Sequence, residues 1–278
     1  CHSLVGSEMC IRDRSNTWNQ HSMAAGGGIL PMRNDADVLA ELVKENEDFT
    51  ENEPQIAANI GQQMFHMDLP ILPRGLRARI RDISLRVRPE NAVLVGGGIG
   101  HLAAWLLDAW AEGEEKHPAS FRIIEEGGKF GVILDRLIRR YNASSWATVI
   151  GTPWSELVAE TSAWNAASAS IESASINKAP LPSPTGLIVI DVPETERPSS
   201  LRAALDLVER DGVILILEPE VPTGDVGEFP PGKPTTPAQE RVDAFNDWMR
   251  IVREAGDRGF KSAFVELSGA TLVVMIGS

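Results

Sequence analysis

The sequence predicts an α/β fold with a Rossmann-like, seven-stranded sheet that is mostly parallel and ends in an antiparallel hairpin. Helices are expected on both faces of this sheet, and extra helices precede it. The first observation is an apolar strand, residues 92–96, that passes through glycines directly into an apolar helix. The second is the alternation of strands and helices that follows, because five strand–helix units imply a parallel sheet with right-handed crossovers. The third is the tight Ser268-Gly269-Ala270 turn between the last two strands, which is typical of a hairpin.

The first residues of the chain are set apart from this fold. Residues 4–13 resemble a translated sequencing adapter, and they lack the apolar core of a signal peptide. We therefore expect residues 1–22 to be a non-native leader, with Met23 or Met32 as the natural start.

Residues 33–90 are predicted to form an N-terminal helical segment. Helical spacing of apolar residues covers 35–44 and 51–67, and a third helix carries its apolar positions between 76 and 85. The third helix also carries six arginines between Arg74 and Arg88, which are expected to form its solvated face.

Residues 91–278 are predicted to form the main α/β domain. The expected strands are 92–96, 121–125, 147–150, 186–191, 212–218, 262–267 and 271–277. The expected helices are 100–112, 128–141, 153–162, 198–209 and 237–255. An Ala-, Ser- and Pro-rich stretch at 163–184 is expected to be a surface insertion between the third and fourth strands.

Composition excludes several classes of function. The chain has 278 residues, a net charge of −13 and 43% apolar residues, which is ordinary for a globular protein. This acidity disfavours a nonspecific nucleic-acid surface, since phosphate binding needs a basic face. No apolar stretch approaches the ~20 residues that span a membrane. Both cysteines, Cys1 and Cys10, lie in the expected leader, so disulfides and cysteine-ligated zinc are excluded, and we expect a cytoplasmic protein.

Candidate functional residues lie at the carboxyl ends of three predicted strands. Residues 96–100, the glycine turn, join the first strand to a helix, while Glu125 ends the second strand and Asp191 ends the fourth. Ligands of open α/β sheets bind beside these strand ends, where a glycine turn exposes the backbone and aims a helix N-terminus at the ligand. The sequence therefore predicts a nucleotide-type cofactor site.

The order and spacing of these motifs resemble a known family. Seven strands ending in a hairpin, with a glycine turn after the first and an acid after the second, are similar to class I S-adenosylmethionine-dependent methyltransferases. More narrowly, residues 70–278 resemble the caffeoyl-CoA and catechol (YrrM-like) type of O-methyltransferase, through Pro70-Ile71-Leu72-Pro73-Arg74-Gly75 and Phe264-Val265-Glu266-Leu267-Ser268-Gly269-Ala270-Thr271-Leu272. The resemblance implies a methyltransferase-like domain over 91–278, a small-molecule methyl acceptor and a homodimer.

The resemblance also implies S-adenosylmethionine as the cofactor and assigns residues to it. Gly96, Gly98 and Gly100 match the family's three glycines, where a side chain would collide with the methionine part of the cofactor, and Gly97 replaces a small residue. Glu125 matches the acid that accepts hydrogen bonds from both ribose hydroxyls, for which a carboxylate offers two acceptor oxygens.

Three further positions complete the implied cofactor site. Thr152 lies in the segment that follows the adenine edge, where the family usually has an aspartate. Asp191 is expected to face the cofactor from the fourth strand. Leu94 stands where the family has a carboxylate that helps to hold the cofactor's amino group, which implies a lowered affinity.

Metal binding and catalysis are implied at the ends of the fourth and fifth strands. Asp191 matches a ligand of a divalent cation in metal-dependent members, and Glu218 is the nearest match to the later ligands. Oxygen ligands suit Mg²⁺ or another hard divalent cation. Glu194 replaces the family's catalytic lysine, and Arg197 replaces a tyrosine. Asp191 and Glu194 are the candidate catalytic residues: either Glu194 acts as a base on another substrate, or methyl transfer is weak or lost.

Other functions remain open at this stage. The strand-end Asp191 could equally be a structural cap. The chain could be an S-adenosylmethionine-binding protein of the same fold with weak or lost catalysis. It could also be a flavin or nicotinamide oxidoreductase, because residues 96–104 superficially resemble the flavin-monooxygenase turn, although that turn needs glycine at the position of His101.

Overall fold

Seven strands form a single sheet in the computed structural model, which describes residues 34–45, 49–111, 117–168, 179–223 and 235–277. In chain order the strands are β1 (Asn91–Val95), β2 (Ser120–Ile124), β3 (Ala147–Ile150), β4 (Thr185–Ile190), β5 (Val208–Leu217), β6 (Lys261–Leu267) and β7 (Ala270–Ile276). Their order across the sheet is β3-β2-β1-β4-β5-β7-β6. Strands β1 to β5 pair in parallel, whereas β7 is antiparallel to both β5 and β6. The predicted fold class is confirmed, while the leader expected at 1–22 lies outside the described residues.

Helices precede the sheet and connect its strands. In the described residues they are α1 (Asp35–Val43), α2 (Gln55–His66), α3 (Arg74–Val87), α4 (His101–Ala111), α5 (Gly131–Arg140), α6 (Trp154–Ser168), α7 (Arg197–Leu207) and α8 (Pro237–Asp257). Local capping helps to start α8, because the Thr236 side chain accepts the Gln239 N–H at 3.3 Å. Within the described ranges, none of the helices combines the length and the apolar character needed to span a membrane.

The sheet is covered on both faces because successive side chains of each strand point in opposite directions. On β1, Leu94 is buried in the layer formed with α3, α4 and α5, which also contains Trp105. Val93 and Val95 are buried in the opposite layer with α6, α7 and α8, which contains Trp248. Burial of each large apolar side chain contributes roughly 1.5–3 kcal/mol, so these two layers hold the strand ends in fixed positions.

The N-terminal helices are part of the same core. Leu39 of α1, Ile60 of α2 and Ile83 of α3 belong to the apolar cluster that covers the first face of the sheet. The expectation of a fully solvated arginine face on α3 is wrong, because Arg77 and Arg79 are buried. Their burial is explained by partners from other segments, which the helical pattern of α3 alone does not show.

Several element boundaries differ from the sequence-based expectation, among them those of β5 and α6. β5 begins at Val208 and not at 212, because Val208 already pairs with Thr185 before the register shifts ahead of Leu187. α6 continues to Ser168, beyond its expected end at 162. The alanines and serines attributed to a surface insertion permit helix propagation over residues 163–168.

Candidate functional site

The candidate site lies where the carboxyl ends of β1, β2 and β4 meet. The Gly96 N–H donates to the Ile124 carbonyl oxygen at 3.1 Å, and the Asp191 N–H donates to the Val95 carbonyl oxygen at 2.8 Å. The strand order reverses between β1 and β4, and open α/β sheets bind ligands at such a switch point. The structure thus brings the glycine turn, Glu125 and Asp191 to one edge of the sheet.

Two glycines of the turn are required by the packing of the protein itself. A Cβ added to Gly96 would lie 1.9 Å from the Asp191 carbonyl oxygen. A Cβ added to Gly100 would lie 2.7 Å from Cδ2 of Leu137 on α5. At both positions a side chain would meet protein atoms, and the expected collision with a cofactor stays a prediction.

Gly98 differs from its neighbours because the space beside it is open. A Cβ on Gly97 would lie 2.7 Å from Cγ2 of Ile123, whereas a Cβ on Gly98 would have no neighbour within 4 Å. The φ of Gly98 is +50°, in the left-handed region that favours glycine. Gly98 therefore leaves an unfilled space directly against the backbone of the turn, and this space belongs to a larger cavity.

The cavity in front of the turn has a volume of about 540 Å³, within the range of small-molecule sites. Its wall has an apolar part and an ionisable part. The apolar part includes Met64, Leu69, Ile71, Leu72, Leu102, Phe130 and Val192. The ionisable part consists of Arg77, His101, Glu125, Asp191, Glu194 and Arg197. A ligand in this cavity can therefore be shielded from water on one side and held by charges on the other.

Glu125 stands between this cavity and a second one. Its Oε2 accepts the Gly98 N–H at 2.6 Å, and partial burial raises the pKa of Glu125. Glu125 also lines a neighbouring cavity of about 580 Å³, whose wall includes Gly128 and Gly151. An elongated ligand could thus extend from the glycine turn past Glu125 toward Gly151.

The segment after β3 differs in part from expectation. Thr152 follows Gly151 but does not line either cavity. The residue after Glu125 has a structural task, since Glu126 Oε1 accepts the Trp154 N–H at 3.0 Å where α6 begins. This bond fixes the start of α6 against the end of β2.

Asp191 is a partly buried carboxylate that two guanidinium groups influence. Burial raises the pKa of Asp191 to about 6, while the positive charges of Arg197 and Arg77 act in the opposite direction. At neutral pH the group is mostly ionised, yet it is more basic than an exposed aspartate. A carboxylate with this pKa can accept a proton from a bound hydroxyl group.

A buried polar network, which sequence reasoning missed, connects Arg77 to the segment before α2 and to α4. Arg77 Nη2 lies 3.0 Å from Glu53 Oε1. Arg77 Nη1 lies 2.8 Å from Nδ1 and 2.7 Å from Nε2 of His101. His101 Nε2 lies 3.1 Å from the same Glu53 oxygen. Burial and the charge of Arg77 lower the pKa of His101, so the ring is neutral and can accept from Arg77 and donate to Glu53. The available signal was that Arg77 lies three positions before Ile80, on the apolar side of α3.

The residues present do not fit a divalent-cation site. The Glu218 carboxylate accepts a hydrogen bond from Trp248 of α8, and it does not line the cavity that Asp191 lines. Glu194 does line that cavity, but its Oε1 accepts the Glu220 N–H at 2.5 Å. Among the described residues, no three His, Cys, Asp or Glu side chains form a group that could hold a metal ion.

The charges around Asp191 also disfavour a divalent cation. Arg77 and Arg197 both act on Asp191, and their positive charges would repel a dication. The expected ligand pair, Asp191 and Glu218, is therefore corrected, because the fifth strand directs Glu218 toward α8.

Comparison with known proteins finds a likeness of structure alone. No protein-family model matches the chain, and no curated protein matches it. The O-methyltransferase TomG from Streptomyces achromogenes, in complex with SAM, has a TM-score of 0.57 at 14% identity, over 88% of this chain and 95% of its own. An O-methyltransferase from Bacillus cereus in complex with SAH has a TM-score of 0.58 at 15% identity, over 87% and 97%. SAH-bound methyltransferase PaMTH1 from Podospora anserina has a TM-score of 0.56 at 13% identity, over 91% and 99%.

The chain shares the Rossmann-like fold of these solved structures. The aligned regions span 88% and 91% of this chain in two of these comparisons. At identities of 13–15% the likeness is one of architecture. Architecture alone does not determine chemistry, which depends on the residues of the site.

Proposed function

We propose that the protein is an S-adenosylmethionine-dependent O-methyltransferase that acts on a small-molecule acceptor. The observation that carries this proposal is the position of Glu125, which lies between the cavity at Gly98 and the cavity at Gly151. A nucleoside with an amino-acid tail has this elongated shape, with its ribose in the middle. The structural neighbours that hold SAM or SAH support the same cofactor class.

The described residues fit this cofactor. The open space at Gly98 accepts a group that approaches the backbone closely, as the tail of the cofactor would. Glu125 offers carboxylate oxygens to the ribose hydroxyls, and Gly151 leaves room for the adenine ring beside it.

The catalytic part of the proposal rests on Asp191. When bound, S-adenosylmethionine supplies an electrophilic methyl group on a positively charged sulfur. The acceptor's hydroxyl oxygen would take that methyl group, and Asp191 would accept the proton that the hydroxyl loses. Arg77 and Arg197 keep Asp191 ionised and ready to accept this proton. The apolar wall excludes water, which strengthens these charge interactions.

Glu194 is the second candidate base at this site. It lines the same cavity as Asp191, but its Oε1 is already engaged with the Glu220 N–H. We therefore assign the proton transfer to Asp191 and propose that Glu194 mainly fixes the segment after β5. No step of the proposed reaction uses a metal ion, because the residues around Asp191 do not fit one.

A cofactor-binding protein without efficient catalysis is the second candidate function. The observation that favours it is the pair of residues that follow Asp191, since Glu194 and Arg197 replace the lysine and tyrosine of the family that the sequence resembles. Both side chains line the cavity, so they define the surface that an acceptor would meet.

Isothermal titration calorimetry followed by an activity assay tests the proposal. Binding should be detected for S-adenosylmethionine and S-adenosylhomocysteine, and not for FAD or NAD at the same concentrations. Release of S-adenosylhomocysteine is then measured with catechol-like and coenzyme-A-linked hydroxycinnamate acceptors. Binding with turnover supports the methyltransferase, and binding without turnover on any acceptor supports the second candidate. Binding of FAD or NAD in place of the methionine-derived ligands would contradict both.

A further inference from the structure

Arg77 is a buried cation in the wall of the cofactor cavity. It is 4% exposed, and it lines the cavity together with Gly98, Leu102 and Asp191. Removal of a guanidinium group from water is costly unless hydrogen-bond acceptors or negative charges replace the water. Each nitrogen atom of the buried Arg77 guanidinium therefore needs a hydrogen-bond acceptor.

Two of the three nitrogens have protein partners. Nη2 pairs with Glu53 Oε1 at 3.0 Å, and Nη1 reaches Nδ1 of His101 at 2.8 Å. The Nε atom is buried and has no hydrogen-bond partner in the part of the chain that the structure describes. Buried donors are nearly always satisfied in folded proteins, so an acceptor is missing on this side of the guanidinium.

The beginning of α4 lies beside the same wall. His101 and Leu102 are the first residues of this eleven-residue helix, and both line the cavity. The first N–H groups of a helix have no intrahelical acceptor, and the helix dipole favours negative charge at this end. The His101 ring itself is held by Arg77 and Glu53. The first turn of α4 and the Arg77 guanidinium therefore line the same cavity.

We propose that Arg77, with the N-terminus of α4, binds the carboxylate of the methionine part of S-adenosylmethionine. This inference rests on the proposed function and specifies one contact of that site. The carboxylate supplies the acceptor that Nε lacks and the negative charge that the helix end favours. Glu53 and His101 are positioning residues, because they engage Nη2 and Nη1 and leave Nε without a partner among the described residues.

The wild-type protein alone gives the first test. Binding of S-adenosylmethionine is compared by calorimetry with binding of its decarboxylated analogue, which keeps the adenosine, the sulfonium and the amino group. Hydrogen bonds to charged groups contribute enough that the analogue should bind at least about tenfold more weakly. 5′-Methylthioadenosine, which lacks the whole amino-acid tail, shows whether the nucleoside part of the site works independently.

Variants then assign the effect to Arg77. Arg77→Gln should weaken binding of S-adenosylmethionine at least about tenfold, leave binding of the decarboxylated analogue and of 5′-methylthioadenosine unchanged, and so abolish the preference for the carboxylate. Arg77→Lys should restore part of that preference. Arg79→Gln is the matched control, because Arg79 is an equally buried arginine of α3 that pairs with Asp82 and does not line the cavity.

The outcomes separate this inference from the proposed function. If wild-type protein binds S-adenosylmethionine and its decarboxylated analogue equally, the assignment of Arg77 is overturned while the cofactor proposal stands. Equal weakening of all three ligands by Arg77→Gln would show a structural role and would also overturn it. If the wild-type protein binds none of the three ligands, both proposals fail. Should Arg77→Gln not fold, the wild-type comparison still decides whether the carboxylate contributes.

Discussion

The backbone N–H of Gly98 donates to Glu125 Oε2 across 2.6 Å, so the turn after β1 is tied to the acid that follows β2. Burial raises the pKa of Glu125, whereas this hydrogen bond lowers it and so favours the ionised form. The turn thereby orients the carboxylate in front of the cavity before any ligand binds. Such preorganisation reduces the ordering that binding would otherwise require.

Loss of the Glu125 carboxylate should weaken cofactor binding. Charge-assisted hydrogen bonds contribute roughly 1.5–3 kcal/mol each, so Glu125→Ala is expected to raise the Kd for S-adenosylmethionine at least about tenfold by calorimetry. Glu160→Ala, which removes an exposed carboxylate from α6, is the control and should bind like wild type. An unchanged Kd for Glu125→Ala would place the ribose elsewhere.

Gly98, whose surroundings are open, and Gly100, whose surroundings are crowded, should respond differently to substitution by alanine. A left-handed residue other than glycine costs about 1–2 kcal/mol, and both Gly98 and Gly100 have positive φ. Gly100→Ala adds a collision with Leu137 and should therefore lower the free energy of unfolding more. Gly98→Ala should be the more stable variant, but its Cβ enters the cavity and should raise the Kd for S-adenosylmethionine at least about tenfold. Chemical denaturation and calorimetry on both variants decide this, and a reversed order of stability would contradict it.

The part of the site at the edge of the sheet could be predicted, because it depends on the local pattern of apolar residues and glycines. Apolar runs locate the strands, parallel strands place their carboxyl ends together, and so the glycine turn, Glu125 and Asp191 were expected at one edge. Each residue immediately follows its strand, and short connections leave little freedom. The hairpin of β6 and β7 was predictable for the same reason, since Gly269 marks a tight turn.

The rest of the site depends on contacts between distant segments. Arg77 meets His101 across 24 positions and His101 meets Glu53 across 48, and no periodicity within α3 reports such partners. Glu218 was expected near Asp191 from its place after β5. Its carboxylate instead binds Trp248 of α8, which becomes a neighbour only after the second layer has packed.

Activity should depend on the ionisation of Asp191. The pKa of Asp191 is raised to about 6, so kcat/KM for the acceptor should rise as pH increases to about 6 and then level off, because the ionised form takes the proton. Asp191→Asn should lower turnover by about 10²-fold or more. Glu194→Gln is the matched variant in the same cavity and should keep the pH profile with turnover within a few-fold of wild type. If Glu194→Gln instead lowered turnover about 10²-fold and Asp191→Asn kept it, Glu194 would be the base.

Asp191 should also make the free energy of unfolding depend on pH. The folded-state pKa of Asp191, about 6, lies above its ordinary value of 3.8, so the folded protein binds more protons than the unfolded chain between these values. Its contribution to stability is thus fully present below pH 3.8 and is lost as pH rises through about 6. Asp191→Asn should remove this loss and raise the free energy of unfolding by about 1–3 kcal/mol at neutral pH. Urea denaturation at several pH values measures the difference, and a variant less stable than wild type at pH 8 would contradict it.

Metal removal tests whether a divalent cation binds beside Asp191. In place of further carboxylates, Arg77 and Arg197 act on Asp191, while the Glu218 carboxylate is bound to Trp248. Magnesium needs several oxygen ligands in octahedral geometry, and positive charges close to a carboxylate weaken its attraction for a cation. We therefore expect EDTA or added Mg²⁺ to change neither the Kd for S-adenosylmethionine nor turnover by more than about twofold. Arg197→Gln serves as the companion variant, because it removes one of the two repelling charges. Loss of turnover in EDTA, restored by Mg²⁺, would show that a cation binds beside Asp191 despite the two guanidinium groups.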